Sequence, residues 1–523
     1  MSRTRILLVT SEAFPLAKSG GLGDAVTGLA RALDRANLDA GLLMPAYRGV
    51  LDRVVGVRRI AHLAGMPGGE ATLLGALCAQ SGLPVTLLQN DALYDRDGLY
   101  LDEHGQPYRD NALRYAALAH AAVRMAAGLP DVRPPDILHA QDWHAGLVPL
   151  LVCAAGLRYV KTVITIHNLA FQGIFPLEHA RELGVPDSYC SDDGARFYDQ
   201  LSFLKAGLRY ADRITTVSHT YAREILTSAS GCGLDALLRA RAQDLVAIPN
   251  GIDDTLWNPA DDPYLGHIQY SARHPGHKRR AKAALQRSLG LALEPDTPIL
   301  AMGSRLTHQK MADVAIQALP EALQRHSALQ VAVLGCGEHG YEQALAALAG
   351  RYPGRCAVHI GYDEAAAHRL HAGADMLLHG SRFEPFGLTP LYAMRYGTVP
   401  IGSRVGGLAD TIIDPGHAEP DTAMLAANGM LFDGESATDM GLAIDRALRL
   451  YRQPAVWQAM QRNGMAGEFG WDNAARPYIS LFDSLVGAPL RGQIPAPTIR
   501  PAPTPAPVYT APALDGMPVP LAY

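Results

Sequence analysis

Cysteine is scarce in this chain, with six in 523 residues at positions 78, 153, 190, 232, 336 and 356. They lie far apart and form no C-x-x-C pair, so neither a disulfide framework nor a zinc site is indicated. An excess of positive charge is also missing. The 46 Lys and Arg stand against 51 Asp and Glu, a net charge of -5, so no basic field draws nucleic acid in bulk. Long apolar runs are absent as well: the longest, Gly146–Leu157, falls short of the ~20 residues that a bilayer span needs. The N-terminal run MSRTRILLVTSEAF holds only a short apolar stretch before Glu12, which reads as a first β-strand and not as a signal peptide. These absences point to a soluble, cytoplasmic protein without nucleic-acid or membrane partners.

What is present is core material. Hydrophobic residues make up 48% and charged residues 19%, enough apolar surface for more than one core, which excludes a disordered or fibrous chain. The length suits three to four average domains or one two-lobed enzyme. Short apolar or β-branched runs alternate with Ala/Leu-rich helical stretches. The first half offers strands at Arg5–Val9, Gly41–Met44, Val85–Gln89, Ile137–His139, Thr162–Ile166 and Arg213–Val217. The second half offers Val246–Pro249, Ile299–Gly303, Gln330–Leu334, Ala357–Ile360, Met376–His379 and Val399–Gly402. Continuous apolar runs of this kind are parallel strands covered by helices on both faces. Twelve strands in two groups exceed a single eight-repeat barrel, so the expectation is α/β with two doubly wound lobes. Their bounds are placed at 1–245 and 246–486. From 487 onward ten of the 36 prolines fall in 37 residues, a composition that cannot build a core. That tail reads as a disordered extension or as a docking motif of the P-x-x-P kind.

Chemistry concentrates in four places. K-S-G-G-L-G-D, Lys18 to Asp24, follows the first strand. Its glycines, Gly20 and Gly21, let backbone approach a ligand, Lys18 supplies a point charge and Asp24 an acceptor for hydroxyls. It is neither a Walker A loop nor G-x-G-x-x-G, and an ordinary strand-to-helix turn has the same residues. Next come H-A-Q-D-W-H, His139 to His144, and T-I-H-N, Thr165 to Asn168, each at the carboxyl end of a strand, where open α/β sheets bind ligands. Polar groups crowded there suit sugar hydroxyls, with the Trp143 ring as support; core or capping roles for His139 and His144, or metal ligation by the histidines, are the alternatives. In G-S-R-L-T-H-Q-K, Arg305 and Lys310 are spaced to converge on one diphosphate, or else form a solvated basic loop. Last, S-R-F-E-P-F-G-L-T-P-L-Y-A-M-R-Y-G, Ser381 to Gly397, presents Glu384 from a loop whose turn Pro385 and Gly387 fix. A helix begins near Leu388 with free amides for a phosphate oxygen. Glu384 alone is also compatible with a capping carboxylate.

Taken together, KSGGLGD, HAQDWHAGL, TIHNLAFQGIF, SFLKAGLRYADRITTVSHTYAREI, IPNGID, SRLTHQK and SRFEPFGLTPLYAMRYGTVPI followed by GGLADT resemble the bacterial glycogen synthase family. These retaining glycosyltransferases include the plant starch synthases. The matches run in family order from residue 5 to about residue 485. Three departures stand out: Ser19 for threonine in the first motif, Phe386 for a frequent cysteine, and Glu338 for aspartate in the Gly335–Glu338 loop.

The resemblance implies two Rossmann-like lobes of the B type with the sugar nucleotide in the cleft between them, and a C-terminal helix around Trp471–Leu485 crossing back to the first. It implies transfer of glucose from ADP-glucose to the non-reducing end of an α-1,4-glucan primer with retention, and no cofactor or metal. Arg305 and Lys310 are expected to neutralise the departing diphosphate, with Lys18, Gly20 and Gly21 gripping it from the other lobe. His167 is expected beside the anomeric carbon and Glu384 on the glucose hydroxyls. Asp24, Asp142, Asn168, Asn250, Gly387, Leu388 and Thr389 complete the expected substrate contacts. A sugar-nucleotide epimerase, a phosphorylase with lysine-bound pyridoxal phosphate and a non-catalytic glucan-binding protein are the rival readings.

Overall fold

Polar loops alternate with strands whose every side chain is covered, as in Ile137–Gln141, Lys161–Ile166, Met376–His379 and Val399–Ser403. Such strands need helices on both faces, and the computed structural model, which describes residues 3–416 and 426–487, builds two sheets of this kind. The chain divides into two compact units, 3–217, 222–248 and 474–487 in one and 218–221, 249–416 and 426–473 in the other. The proline-rich tail beyond 487 lies outside the described residues.

In the first unit the strands are β1 (Arg5–Val9), β2 (Asp39–Pro45), β3 (Val54–Leu63), β4 (Ala71–Cys78), β5 (Pro84–Gln89), β6 (Ile137–Gln141), β7 (Lys161–Ile166), β8 (Ile174–Pro176), β9 (Arg196–Phe197), β10 (Gln200–Ser202), β11 (Arg213–Thr216) and β12 (Leu245–Ala247). Nine of them form one sheet in the order β12-β11-β7-β6-β1-β2-β5-β4-β3. Pairing is parallel from β12 to β5, and β4 and β3 add antiparallel at the edge. The chain runs outward from β1 on one side through β2 and returns on the other through β6. The loops after β1 and β6 therefore leave a crevice at their carboxyl ends, the place where such sheets bind ligands. The helix Trp471–Val486 contributes Tyr478 and Phe482 to this unit, their rings 5.5 and 5.7 Å from that of His139.

One expected strand falls in the other unit. Leu245–Ala247, assigned to the second lobe as part of Val246–Pro249, hydrogen-bonds to β11 with Thr215 opposite Val246 and so belongs to the first sheet. The chain enters the second unit only after Ile248. Three half-buried residues beside a glycine turn carry no signal of their own allegiance; the non-local pairing decides it.

The second unit holds β13 (Ile299–Gly303), β14 (Gln330–Gly335), β15 (Cys356–Ile360), β16 (Met376–His379), β17 (Val399–Ser403) and β18 (Met430–Phe432), all parallel, in the order β15-β14-β13-β16-β17-β18. Counted from β13, this is the 3-2-1-4-5-6 order of doubly wound dinucleotide-binding sheets. Alternation along each strand fills two cores. Leu300, Met302, Val331, Val333 and Leu378 meet one set of helices, while Ile299, Ala301, Ala332 and Leu377 meet Leu285, Leu370 and Ala393 on the opposite face. Each such leucine or isoleucine contributes about 1.5–3 kcal/mol by leaving water. The crevice falls between β13 and β16, whose connections leave in opposite directions.

Candidate active site

At the first unit's crevice, Glu12 organises the loop Lys18–Gly21. Its carboxylate accepts from the Ser19 amide at 2.8 Å, the Ser19 hydroxyl at 2.8 Å, the Gly20 amide at 3.2 Å and the Tyr100 hydroxyl at 2.6 Å. Ser19, the threonine replacement, thus uses the hydroxyl that the substitution keeps. Gly20 is extended (φ -153°), and a Cβ placed there would meet no protein atom within 4 Å. Nothing in the fold demands glycine at 20. The helix Gly21–Arg35 follows, its first turn carrying Asp24, which pairs with Lys18 at 2.9 Å. Asp24 is therefore engaged with the lysine that the sequence placed beside it.

The loops after β6 and β7 meet through Asp142. Its Oδ1 accepts the backbone N–H of His167 at 2.8 Å and of Asn168 at 3.3 Å. Burial pushes the Asp142 carboxyl up to about 7, with the two N–H bonds opposing. Its backbone sits at φ 53°, ψ -167°, a conformation that costs a non-glycine residue of order 1–3 kcal/mol and that clusters at functional sites. His167 donates through Nε2 to Oε1 of Gln141 at 2.8 Å, and burial lowers its pKa to about 3, so the ring is neutral. Asn168 caps the following turn by accepting from the Ala170 amide at 3.1 Å.

Trp143 does not serve as a sugar platform here. It is 4% exposed, with its ring centroid 4.0 Å from that of His144 and 5.0 Å from that of Tyr115. The turn Trp143–Ala145 directs the ring inward, and His144 stacks on Tyr100 in the same aromatic core. His139 is likewise internal, bonded to the Thr165 hydroxyl at 2.6 Å.

In the second unit, the loops after β13 and β16 are stitched together. Gln309 donates to the Phe383 carbonyl at 3.1 Å, and the Arg382 amide donates to the Gln309 carbonyl at 2.9 Å. Arg382 also clamps Asp313 through two hydrogen bonds of 2.9 and 2.8 Å. The loop after β14 supports them from below: Gly335 and Gly337 approach so closely that a Cβ would lie 2.1 Å from the Ser304 carbonyl oxygen and 2.2 Å from that of Leu306. Glu338, the aspartate replacement, accepts the His308 amide at 3.3 Å.

This scaffold presents Arg305, half-buried, and Lys310, whose Nζ forms a buried ion pair with Glu384 Oε2. His379 and the Ser381 hydroxyl bond to the same oxygen at 3.0 and 2.9 Å, leaving Oε1 of Glu384 without a partner among the described residues. Burial would raise the Glu384 carboxyl, but Lys310 and the His379 bond outweigh it and hold it well below the usual range. Burial lowers Lys310, and the neighbouring Arg305 charge adds to that while Glu384 opposes it. Gly387 takes φ +88° to turn the chain into the helix Leu388–Arg395, whose first amides, at Leu388 and Thr389, have no backbone acceptor among the described residues. Four expected features thus gather at one crevice: Arg305, Lys310, Glu384 and a helix N-terminus. Asn250, half-buried just inside the second unit, has no hydrogen bond to that cluster among the described residues.

Sequence reasoning missed the positioning groups Glu12, Gln141, His379, Ser381 and Arg382. The signal available was their place, since Glu12, Gln141 and His379 lie at or just past the carboxyl ends of buried strands.

Residues 5–240 match the starch synthase catalytic domain family, and residues 290–463 match glycosyl transferases group 1. The glycogen synthase of Bordetella petrii is 74% identical over 523 residues, covering 100% of both chains. That of Bordetella parapertussis is 60% identical over 95% of this chain and 99% of its own. Among solved structures, the catalytic domain of starch synthase IV from Arabidopsis thaliana bound to ADP and acarbose superposes with a TM-score of 0.84 at 27% identity, covering 93% of this chain and 100% of that one. Two sheets of B-type topology, the matched catalytic-domain models and these full-length identities agree, and the chain belongs to the glycogen synthase family of glycosyltransferases.

Proposed function

We propose that this chain transfers glucose from ADP-glucose to the non-reducing 4-hydroxyl of an α-1,4-glucan, with retention of anomeric configuration. The carrying observation is the second unit's crevice, where Arg305, Lys310 and the Leu388–Thr389 amides supply positive potential at the switch point of the sheet. Such groups bind a diphosphate and stabilise the charge that grows on it as the glycosidic bond breaks. In the first unit, Lys18 and the Gly20–Gly21 backbone bind donor phosphate.

Glu384 is held ionised by Lys310, so it is not a general acid at neutral pH. A diphosphate leaving group requires none. Its partner-free Oε1 accepts from glucose hydroxyls and orients the ring. His167, neutral, offers its backbone carbonyl and an uncharged ring beside the anomeric carbon, where an imidazolium would repel developing oxocarbenium charge. Asp142 holds His167 in place, and Asn168 and Asn250 are polar contacts for sugar. With Glu384 committed to a cation, the paired carboxylates of a glycosidase give no template for this site, which fits front-face displacement better than a glycosyl-enzyme. The ADP named in the starch synthase IV structure supports an adenine donor.

The test is transfer of labelled glucose from ADP-glucose and from UDP-glucose, with and without glycogen. Primer-dependent incorporation from ADP-glucose is expected. Release of an altered free sugar without glucan would identify an isomerase instead.

A further inference from the structure

Seven non-glycine residues have a positive φ among the described residues, and three of them, Tyr198, Asp199 and Cys232, meet at one place in the first unit. Two others, Asp142 and Met311, stand in crevice loops, where backbone strain tends to gather. Tyr198 and Asp199 (φ 45° and 61°) form the two-residue turn between β9 and β10. Such a turn favours Asn-Gly, so the fold gains nothing from tyrosine there. Nor is the ring buried: Tyr198 is 75% exposed, more than any other large hydrophobic side chain among the described residues. It meets the Phe197 ring edge-on with centroids 4.6 Å apart. Both rings lie against Gly233, next to Cys232, where a Cβ would fall 2.9 Å from Phe197 Cζ and 3.4 Å from Tyr198 Cε2.

The strands behind the turn extend it into a strip. Gln200 stands opposite Pro176 on β8 and Phe197 on β9, and Ser202 stands opposite Ile174, so these side chains share one face. The other face carries Leu201 and Phe175 and packs inward, with Phe175 4.9 Å from Phe203 and 5.9 Å from Trp143. Ile174, Pro176, Gln200 and Tyr198 are exposed, and Phe197 is half-buried. The strip begins near the reaction site, because Gly173, on the loop that follows His167, accepts the Phe203 amide at the inner end of β10. It ends at Tyr198, on the order of 15 Å farther out along the strand. None of its five exposed or half-buried side chains is charged, and Asp199 is committed to Arg196. A neutral, partly aromatic surface with one amide suits neither phosphate nor a charged peptide. It suits the apolar face and the hydroxyls of a sugar.

We infer that this strip is a distal acceptor subsite, holding α-1,4-glucan residues several units behind the reacting 4-hydroxyl. Tyr198 stacks on a pyranose ring, and the Gln200 amide bonds to hydroxyls. The inference rests on the glucan acceptor proposed above and makes preference for long primers a property of the first unit.

Steady-state transfer from ADP-glucose to maltose, maltoheptaose and glycogen, beside calorimetric titration of the full chain with maltoheptaose, tests it. Tyr198→Asn suits the left-handed turn, so its melting temperature should equal or exceed that of wild type. Its KM for maltoheptaose and glycogen should rise about fivefold or more, and its calorimetric affinity for maltoheptaose should fall likewise, while KM for maltose and for ADP-glucose shifts by less than about twofold. Tyr198→Phe, which keeps the ring, should stay near wild type. Equal changes in KM for maltose and maltoheptaose, or no change for either, would overturn the subsite. If the wild-type chain transferred no glucose, the reaction proposed above would fail, and the calorimetric comparison of wild type with Tyr198→Asn would still decide whether the strip holds glucan.

Discussion

Asp142 accepts the backbone N–H of His167 at 2.8 Å across 25 positions of sequence, and it does so with a carboxyl whose burial pushes its pKa up to about 7. In the unfolded chain this group ionises near 3.8, whereas the folded chain keeps the proton to about 7. The folded state binds more protons across that window, so stability falls as pH rises through it. Asp142→Asn keeps the acceptor oxygen and removes the titration. Its stability relative to wild type should climb between about pH 4 and pH 7, by on the order of 4 kcal/mol, and then level. Urea unfolding on both sides of that window checks it, and an unchanged difference would refute the assignment.

Gly20 separates ligand from fold. Its backbone is extended and the space around a Cβ is open, so Gly20→Ala should leave the melting temperature within about 1 °C of wild type. Donor KM should rise about tenfold or more, because the methyl group occupies the approach to the phosphates. Lys18→Gln should act in the same direction, raising KM more than it lowers turnover if the lysine grips ground-state phosphate. Steady-state kinetics beside thermal melts would decide; a destabilised Gly20→Ala would mean that the fold itself needs the glycine.

Glu12 is predicted to be a positioning residue. Removing its carboxylate strands the Ser19 and Gly20 amides, while the Tyr100 hydroxyl keeps the Ser11 hydroxyl at 2.7 Å. Glu12→Ala should cost about 1–3 kcal/mol for each buried group left unpaired and raise donor KM. Glu12→Gln, which retains one acceptor oxygen, should fall between the two. If Glu12→Gln lost stability but kept wild-type KM, the carboxylate would serve packing alone.

Apart from the three-residue β18 at the edge of the second sheet, the parallel strands were legible because burial on both faces demands unbroken apolar runs. β3 was not. Val54–Leu63 carries Arg58, Arg59 and His62, is largely exposed, and is held by pairing with β4, which no local pattern announces. The charged candidates for substrate contact were legible too, since Lys18, Arg305, Lys310 and Glu384 stand in loops past strand ends. Their supports were harder to see. Glu12 acquires its role by meeting Tyr100 from 88 positions away, and Arg382 by meeting Asp313 from 69. Trp143 misled because a tryptophan among polar residues resembles a sugar platform until the turn that buries it is known.

Charge at the leaving group is the centre of the account, and turnover of Arg305→Ala and Lys310→Ala measures it most directly. Each variant should lose about two to three orders of magnitude in kcat, the scale for one preorganised transition-state donor, with a smaller change in donor affinity. Lys310→Ala also strands Glu384, so its melting temperature should drop, whereas Arg305→Ala should melt near wild type. The double variant should be less than additive because both cations serve the same oxygens. Turnover within about threefold of wild type for a folded Arg305→Ala or Lys310→Ala would contradict the account.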